Sequence, residues 1–123
     1  VEAIVHSGAC RKIVHLLMNN SLAIKTPAVR IVGNLLAGDE TMTQIVMNLG
    51  VLPCLLSLIT HFSYDSVCKE ACWAIANIAA GAQYQIAALM SANIIPPLIV
   101  CMSRGNFDVQ QEAAWAISNI CTG

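Results

Sequence analysis

One pattern recurs three times in this 123-residue chain, and that recurrence restricts the fold more than any other feature. The segment TPAVRIVGN, Thr26 to Asn34, aligns with EACWAIAN, Glu70 to Asn77, and with EAAWAISN, Glu112 to Asn119. Asn34, Asn77 and Asn119 are then 43 and 42 residues apart, and Gly38, Gly81 and Gly123 keep the same steps. Upstream, Gly8, Gly50 and Asn93 step by 42 and 43, with Pro53 and Pro96 each three residues after the latter two. Three units follow: 1–38, 39–81 and 82–123. The first is about five residues short of a period and opens mid-helix, so a piece of a longer array is expected.

A period of 42–43 residues belongs to the armadillo and HEAT class of helical repeats, not to the shorter ankyrin or tetratricopeptide units. Each unit reads as helix throughout. In the middle one, Thr41 to Leu49 is a short first helix ended by Gly50. Leu52 to Thr60 is a second, with Pro53 in its first turn, where the missing N–H costs little. His61 to Asp65 connects, and Ser66 is placed to cap a third helix that runs to Gly81. Three helices per repeat favour armadillo over two-helix HEAT. The expected fold is therefore all-α: an armadillo-repeat, right-handed superhelical solenoid of three repeats, the first truncated.

Projecting the third helix at 100° per residue splits it into two stripes. Glu70, Trp73, Ala74, Asn77 and Gly81 share one arc; Ala71, Cys72, Ile75, Ala76, Ile78 and Ala79 form the small apolar remainder. The third unit repeats this with Glu112, Trp115, Ala116, Asn119 and Gly123, and the first with Pro27, Arg30, Ile31, Asn34 and Gly38. Both tryptophans of the chain thus stand with Asn and Glu, apart from the Ile/Ala core. They could pack between neighbouring third helices, with Asn bridging, but their recurrence favours a second reading. A solenoid lines up equivalent positions as a ladder on its concave surface. Rungs lie roughly 8–10 Å apart, and an extended peptide advances about 3.3 Å per residue, so one rung serves two or three peptide residues. Asn can hold peptide backbone whatever its sequence. Parallel indoles form slots for Lys or Arg stems, with about 0.5–2 kcal/mol from cation–π attraction. Glu70, Glu112, Asp39 and Glu40 are four of the seven acidic residues and fall on or beside this face, which points to a basic peptide as ligand.

Composition removes other classes. Hydrophobic residues make up 57% and charged residues 11%, which excludes disorder. A net charge of −1 leaves no basic footprint for nucleic acid, and no apolar run approaches membrane-spanning length. Six cysteines show no CxxC pair; Cys68 and Cys72, one turn apart, are the closest two. They read as reduced, buried small hydrophobes of a cytosolic or nuclear protein, with no metal and no cofactor expected. No phosphate loop, His pair or nucleophile signature suggests an enzyme.

The Trp/Asn units resemble the armadillo repeats of importin alpha, the nuclear-import adaptor family that reads nuclear localisation signals, over essentially the whole chain. The Arg30 unit, followed by two Trp units, is similar to the order found in the C-terminal half of that array, at its minor signal-binding site. The resemblance implies that Asn34, Asn77 and Asn119 bind signal backbone and that Trp73 and Trp115 sandwich basic stems. It implies that Glu112 and Glu40 take the cationic heads, that Gly38 and Thr43 line the floor, and that Arg30 ends the Trp row and repels basic side chains. It departs from the family at Ala37, Ala76, Ala79 and Cys121, where hydroxyl residues are frequent, and at Leu36, where Val is common. Partners implied are basic signal peptides of cargo proteins, with importin beta reached only through a segment absent from these residues. Localisation would be cytoplasm and nucleus. The alternative is a beta-catenin-like scaffold, which a row of Lys/Arg on the third helices would have favoured.

Overall fold

The protein is described here from a computed structural model, which describes residues 8–61 and 64–123. The expected mid-helix opening at residues 1–7, and positions 62 and 63 of the middle connection, lie outside the described residues. Eight helices follow one another: α1 (Ala9–Leu16), α2 (Leu22–Leu36), α3 (Glu40–Asn48), α4 (Val51–Thr60), α5 (Asp65–Ala79), α6 (Gln83–Ser91), α7 (Ile95–Arg104) and α8 (Phe107–Thr122). Among the described residues there is no strand, and no single helix is long and apolar enough to cross a membrane. The helices group as α3–α4–α5 and α6–α7–α8, with α1–α2 as the described part of the first repeat.

The upstream landmarks now have a physical cause. Gly8, Gly50 and Asn93 all adopt left-handed backbone, at φ 77°, 87° and 57°. Each stands between two helices or at the start of one, where the chain must reverse without a Cβ clash, and Gly or Asn tolerates this best. The turns at Gly50 and Asn93 set α3 against α4, and α6 against α7, at 77° in both cases. The same short crossing therefore recurs once per period.

Helix starts differ slightly from expectation. α3 begins at Glu40 and α4 at Val51, each one residue early. Asp39 caps α3 by accepting from the Met42 N–H at 2.8 Å, and Asn106 caps α8 through the Val109 N–H at 3.0 Å. Ser66 does not cap α5, because the helix already begins at Asp65 with Tyr64 in the cap position. α2 runs straight through Pro27, whose absent N–H leaves it no bond to offer the preceding turn.

The third helices α2, α5 and α8 stack side by side, and α5 in the middle packs on both of the others and on α4. Its buried arc is therefore wider than one stripe. Ala71, Cys72, Ile75, Ala76 and Ile78 are sealed, as projected, but so is Ala74, and so is Ala116 on α8. Both alanines were assigned to the Trp stripe; neighbours on two sides leave that stripe only Glu70, Trp73 and Asn77 on α5.

Candidate functional site: the groove along the third helices

Trp73 and Asn77 are held by α2, the third helix of the preceding repeat. The Asn77 Nδ2 donates to the Gly33 carbonyl across the α2–α5 boundary at 2.9 Å, and the Asn119 Nδ2 donates to the Ala76 carbonyl across α5–α8 at 3.1 Å. The two bonds are one period apart, so each asparagine bridges repeats in the same way. Each side chain stays partly exposed. Its Oδ1 and its second amide hydrogen are engaged by no other side-chain bond among the described residues, and these can face a peptide backbone.

Gly33 also seats the indole. A Cβ built there would lie 2.3 and 2.5 Å from Cζ3 and Cε3 of Trp73, so the ring rests on bare backbone. Trp73 is half-buried as a result, whereas Trp115 is 62% exposed. The position equivalent to Gly33 beneath the second rung is Ala76, which carries a Cβ. Trp73 thus combines both readings of the sequence, since packing and partial exposure coexist on its ring.

Nine of the eleven candidate residues line two cavities on this face. Arg30, Asn34, Glu70, Trp73 and Glu112, with Lys69, surround one of about 290 Å³. Gly38, Glu40, Thr43 and Asn77 line another of about 480 Å³, together with Leu36 and Gln85. Trp115 and Asn119 line neither and stand one rung further along α8.

The acidic balance expected for the groove is corrected by the ion pairs. Arg30 sets its Nε and Nη2 3.3 and 3.2 Å from Glu70 Oε1, a pair with side-chain exposures of 61% and 13%. Arg30 is therefore not a bare cation that repels at its rung, and Glu70 is already partnered. Burial raises the Glu112 carboxyl above its ordinary range; Lys69 pulls it down, and Glu70 and Asp108 push it further up. Tyr84 donates its hydroxyl to Glu40 Oε2 at 2.8 Å, and this bond raises the phenol. Asp39 is spent as the α3 cap. Each of the four acids has a partner or a cation nearby, because a helix face that gathers carboxylates also gathers what neutralises them.

Thr43 is 3% exposed and points its hydroxyl inward, to the Leu36 and Asp39 carbonyls at 3.2 and 3.0 Å. It shapes the cavity floor without offering a free donor. Sequence reasoning missed Gly33, Lys69, Tyr84 and Gln85. Gln85 is fully buried, accepts from the Ala82 N–H at 3.1 Å and donates to the Glu40 carbonyl at 3.2 Å. A mid-helix glycine was the one available signal, because it costs about 1 kcal/mol against alanine and so implies close packing.

An armadillo/beta-catenin-like repeat profile matches residues 1–37, 39–80 and 83–122. The chain belongs to the armadillo repeat family. Its relatives include importin subunit alpha-1a of Oryza sativa subsp. japonica, 45% identical over 80% of this chain and 19% of that protein. Importin subunit alpha-1b of the same plant is 46% identical over 88% of this chain and 20% of its own length. The chain thus spans about a fifth of these relatives. Among solved structures, a designed armadillo repeat protein in complex with the peptide (KR)4 superposes at a TM-score of 0.93 and 35% identity, over 99% of this chain and 51% of that one.

The cysteines of this armadillo segment are all free; Cys10, Cys68, Cys72 and Cys101 are buried, Cys54 half-buried and Cys121 exposed. The turn-spaced pair on α5 acquires a third member that spacing did not reveal, Cys101 from α7.

Proposed function

We propose that this segment belongs to a nuclear import adaptor and holds basic nuclear localisation signals, extended, along α2, α5 and α8. The observation that carries the reading is the repeated rung: an indole and a partly exposed Asn, four residues apart, tied at the same carbonyl position in successive repeats. Asn fixes peptide backbone through its remaining amide capacity, and Trp73 and Trp115 hold the alkyl stems of Lys or Arg. Paired acids make the electrostatic share smaller than four carboxylates suggest, so stacking and backbone contacts dominate. Two further supports are the importin alpha relatives and the structural neighbour whose peptide is (KR)4. In this reading the protein shuttles between cytoplasm and nucleus, and importin beta is engaged by chain outside these residues.

The test is a titration of a labelled Lys/Arg-rich peptide against an acidic peptide of equal length, with wild type and Trp73→Ala. Preference for the basic peptide, lost with the indole, is expected. Equal binding of both peptides, or binding indifferent to Trp73, overturns the reading.

A further inference from the structure

Away from the groove, Cys68 and Cys72 on α5 meet Cys101 on α7 in the core between the second and third repeats. Their three Sγ atoms all lie within 4.8 Å of one another, with Cys68 and Cys101 at 3.4 Å. Exposure is 1%, 0% and 0%. Sulfurs bonded at about 2.3 Å to one trigonal centre stand about 4 Å apart, so the trio surrounds a volume that suits a single atom. Its ligands are thiols alone, and soft sulfur donors select soft, thiophilic centres. Among the described residues, the other polar group that Cys101 Sγ meets is the Ile59 carbonyl, at 3.8 Å.

Charge narrows the class further. The cluster sits in an apolar core of Leu, Ile, Val and Ala side chains, where an uncompensated charge is expensive. Three thiolates around a monovalent ion leave two negative charges, and around a divalent ion one. Around a trivalent centre they leave none. We propose that Cys68, Cys72 and Cys101 form a binding site for a soft trivalent centre of the arsenous acid class, held as a neutral three-sulfur adduct that links α5 to α7.

The chemistry balances without a redox partner. Arsenous acid, As(OH)3, condenses with three thiols: three S–H bonds and three As–OH bonds break, three As–S bonds form, and three waters leave. Arsenic stays trivalent and the protein gains no charge. Three buried thiols, drawn from two helices and already in mutual contact, then face an uncharged reagent. The cluster is sealed, so uptake requires local parting of α7 from α5, and its rate levels off as arsenite is raised.

The experiment treats the reduced, purified protein with sodium arsenite and reads intact mass, thiols titratable after denaturation, and differential alkylation of each cysteine. One arsenic per chain, a fall from six to three titratable thiols, and protection of Cys68, Cys72 and Cys101 are expected. Cys54→Ser/Cys121→Ser should bind unchanged, and Cys101→Ala should lose at least ten-fold in affinity. Alkylation mapping of the unmutated protein keeps the test decisive if Cys101→Ala fails to fold. Failure to form an adduct, or protection of Cys54 or Cys121 in place of the trio, overturns the site. Tighter binding of cadmium chloride than of arsenite overturns the charge argument that selects a trivalent centre.

Discussion

Replacing Gly33 by alanine tests the seat of the first indole, and the structure predicts a sign that depends on Trp73. In an isolated helix the change stabilises by about 1 kcal/mol, because alanine is the better helix former. Here the new methyl would stand 2.3 and 2.5 Å from two ring carbons of Trp73, against an ordinary carbon contact of about 3.5–4.0 Å. The indole must retreat by more than about 1 Å, and overpacking of that kind costs about 1–3 kcal/mol. Clash and propensity together leave Gly33→Ala about 0–2 kcal/mol less stable than wild type. In a Trp73→Ala background the obstacle is gone, and the same substitution should stabilise by about 1 kcal/mol. The coupling between the two positions is then about 1–3 kcal/mol. Urea unfolding followed by helical circular dichroism on the four members of the cycle measures it. A Gly33→Ala protein that is stabilised equally with and without Trp73 would refute the contact, and with it the account of why Trp73 is sunk and Trp115 is not.

Further outcomes follow from the same geometry. Asn119→Ala should weaken all extended peptides alike, whereas Trp115→Ala should penalise those with long basic side chains most; parallel titrations with Lys-rich and Ala-rich peptides separate the two. Arg30→Ala releases Glu70 and should tighten a basic peptide a few-fold, in keeping with about 0–1 kcal/mol for an exposed pair; unchanged or weaker binding counts against the pair as a brake on the groove. The raised Glu112 carboxyl makes binding pH-dependent. Its folded pKa lies above the unfolded value, so its stabilising share is present at low pH and is lost as pH rises through the two values. A peptide cation favours the carboxylate, so affinity for a Lys-rich peptide should rise with pH through a point above the ordinary glutamate range, and Glu112→Gln should abolish that dependence. Asn77→Ala should cost about 1 kcal/mol of stability in urea even without peptide, because it removes a bridge to Gly33.

Much of the architecture was legible because a repeat states its own register. The 42–43-residue step located the turns, and the residues at Gly8, Gly50 and Asn93 proved to share left-handed backbone, a requirement that only a few residue types meet. The faces of α5 were legible where a single projection suffices, as with Ile75 and Ile78. They were not where burial comes from two flanking helices, as at Ala74. The groove residues were found by recurrence, yet their pairings were not. Arg30 with Glu70 and Tyr84 with Glu40 join positions 40 and 44 residues apart, and helical projection of one repeat carries no information about its neighbour's rotamers. The third cysteine escaped for the same reason, since Cys101 reaches Cys68 only once α7 is laid against α5.

The bridges from Asn77 to Gly33 and from Asn119 to Ala76 bear on how such arrays can be recombined. The amide that meets a ligand is oriented by a carbonyl belonging to the repeat before it, and the first indole rests on that repeat's glycine. A single 42-residue unit moved into another array carries its Trp and Asn but leaves their supports behind. The smallest portable reading unit is therefore two consecutive repeats, and a graft cut at the glycines that end the third helices divides each rung from its own foundation.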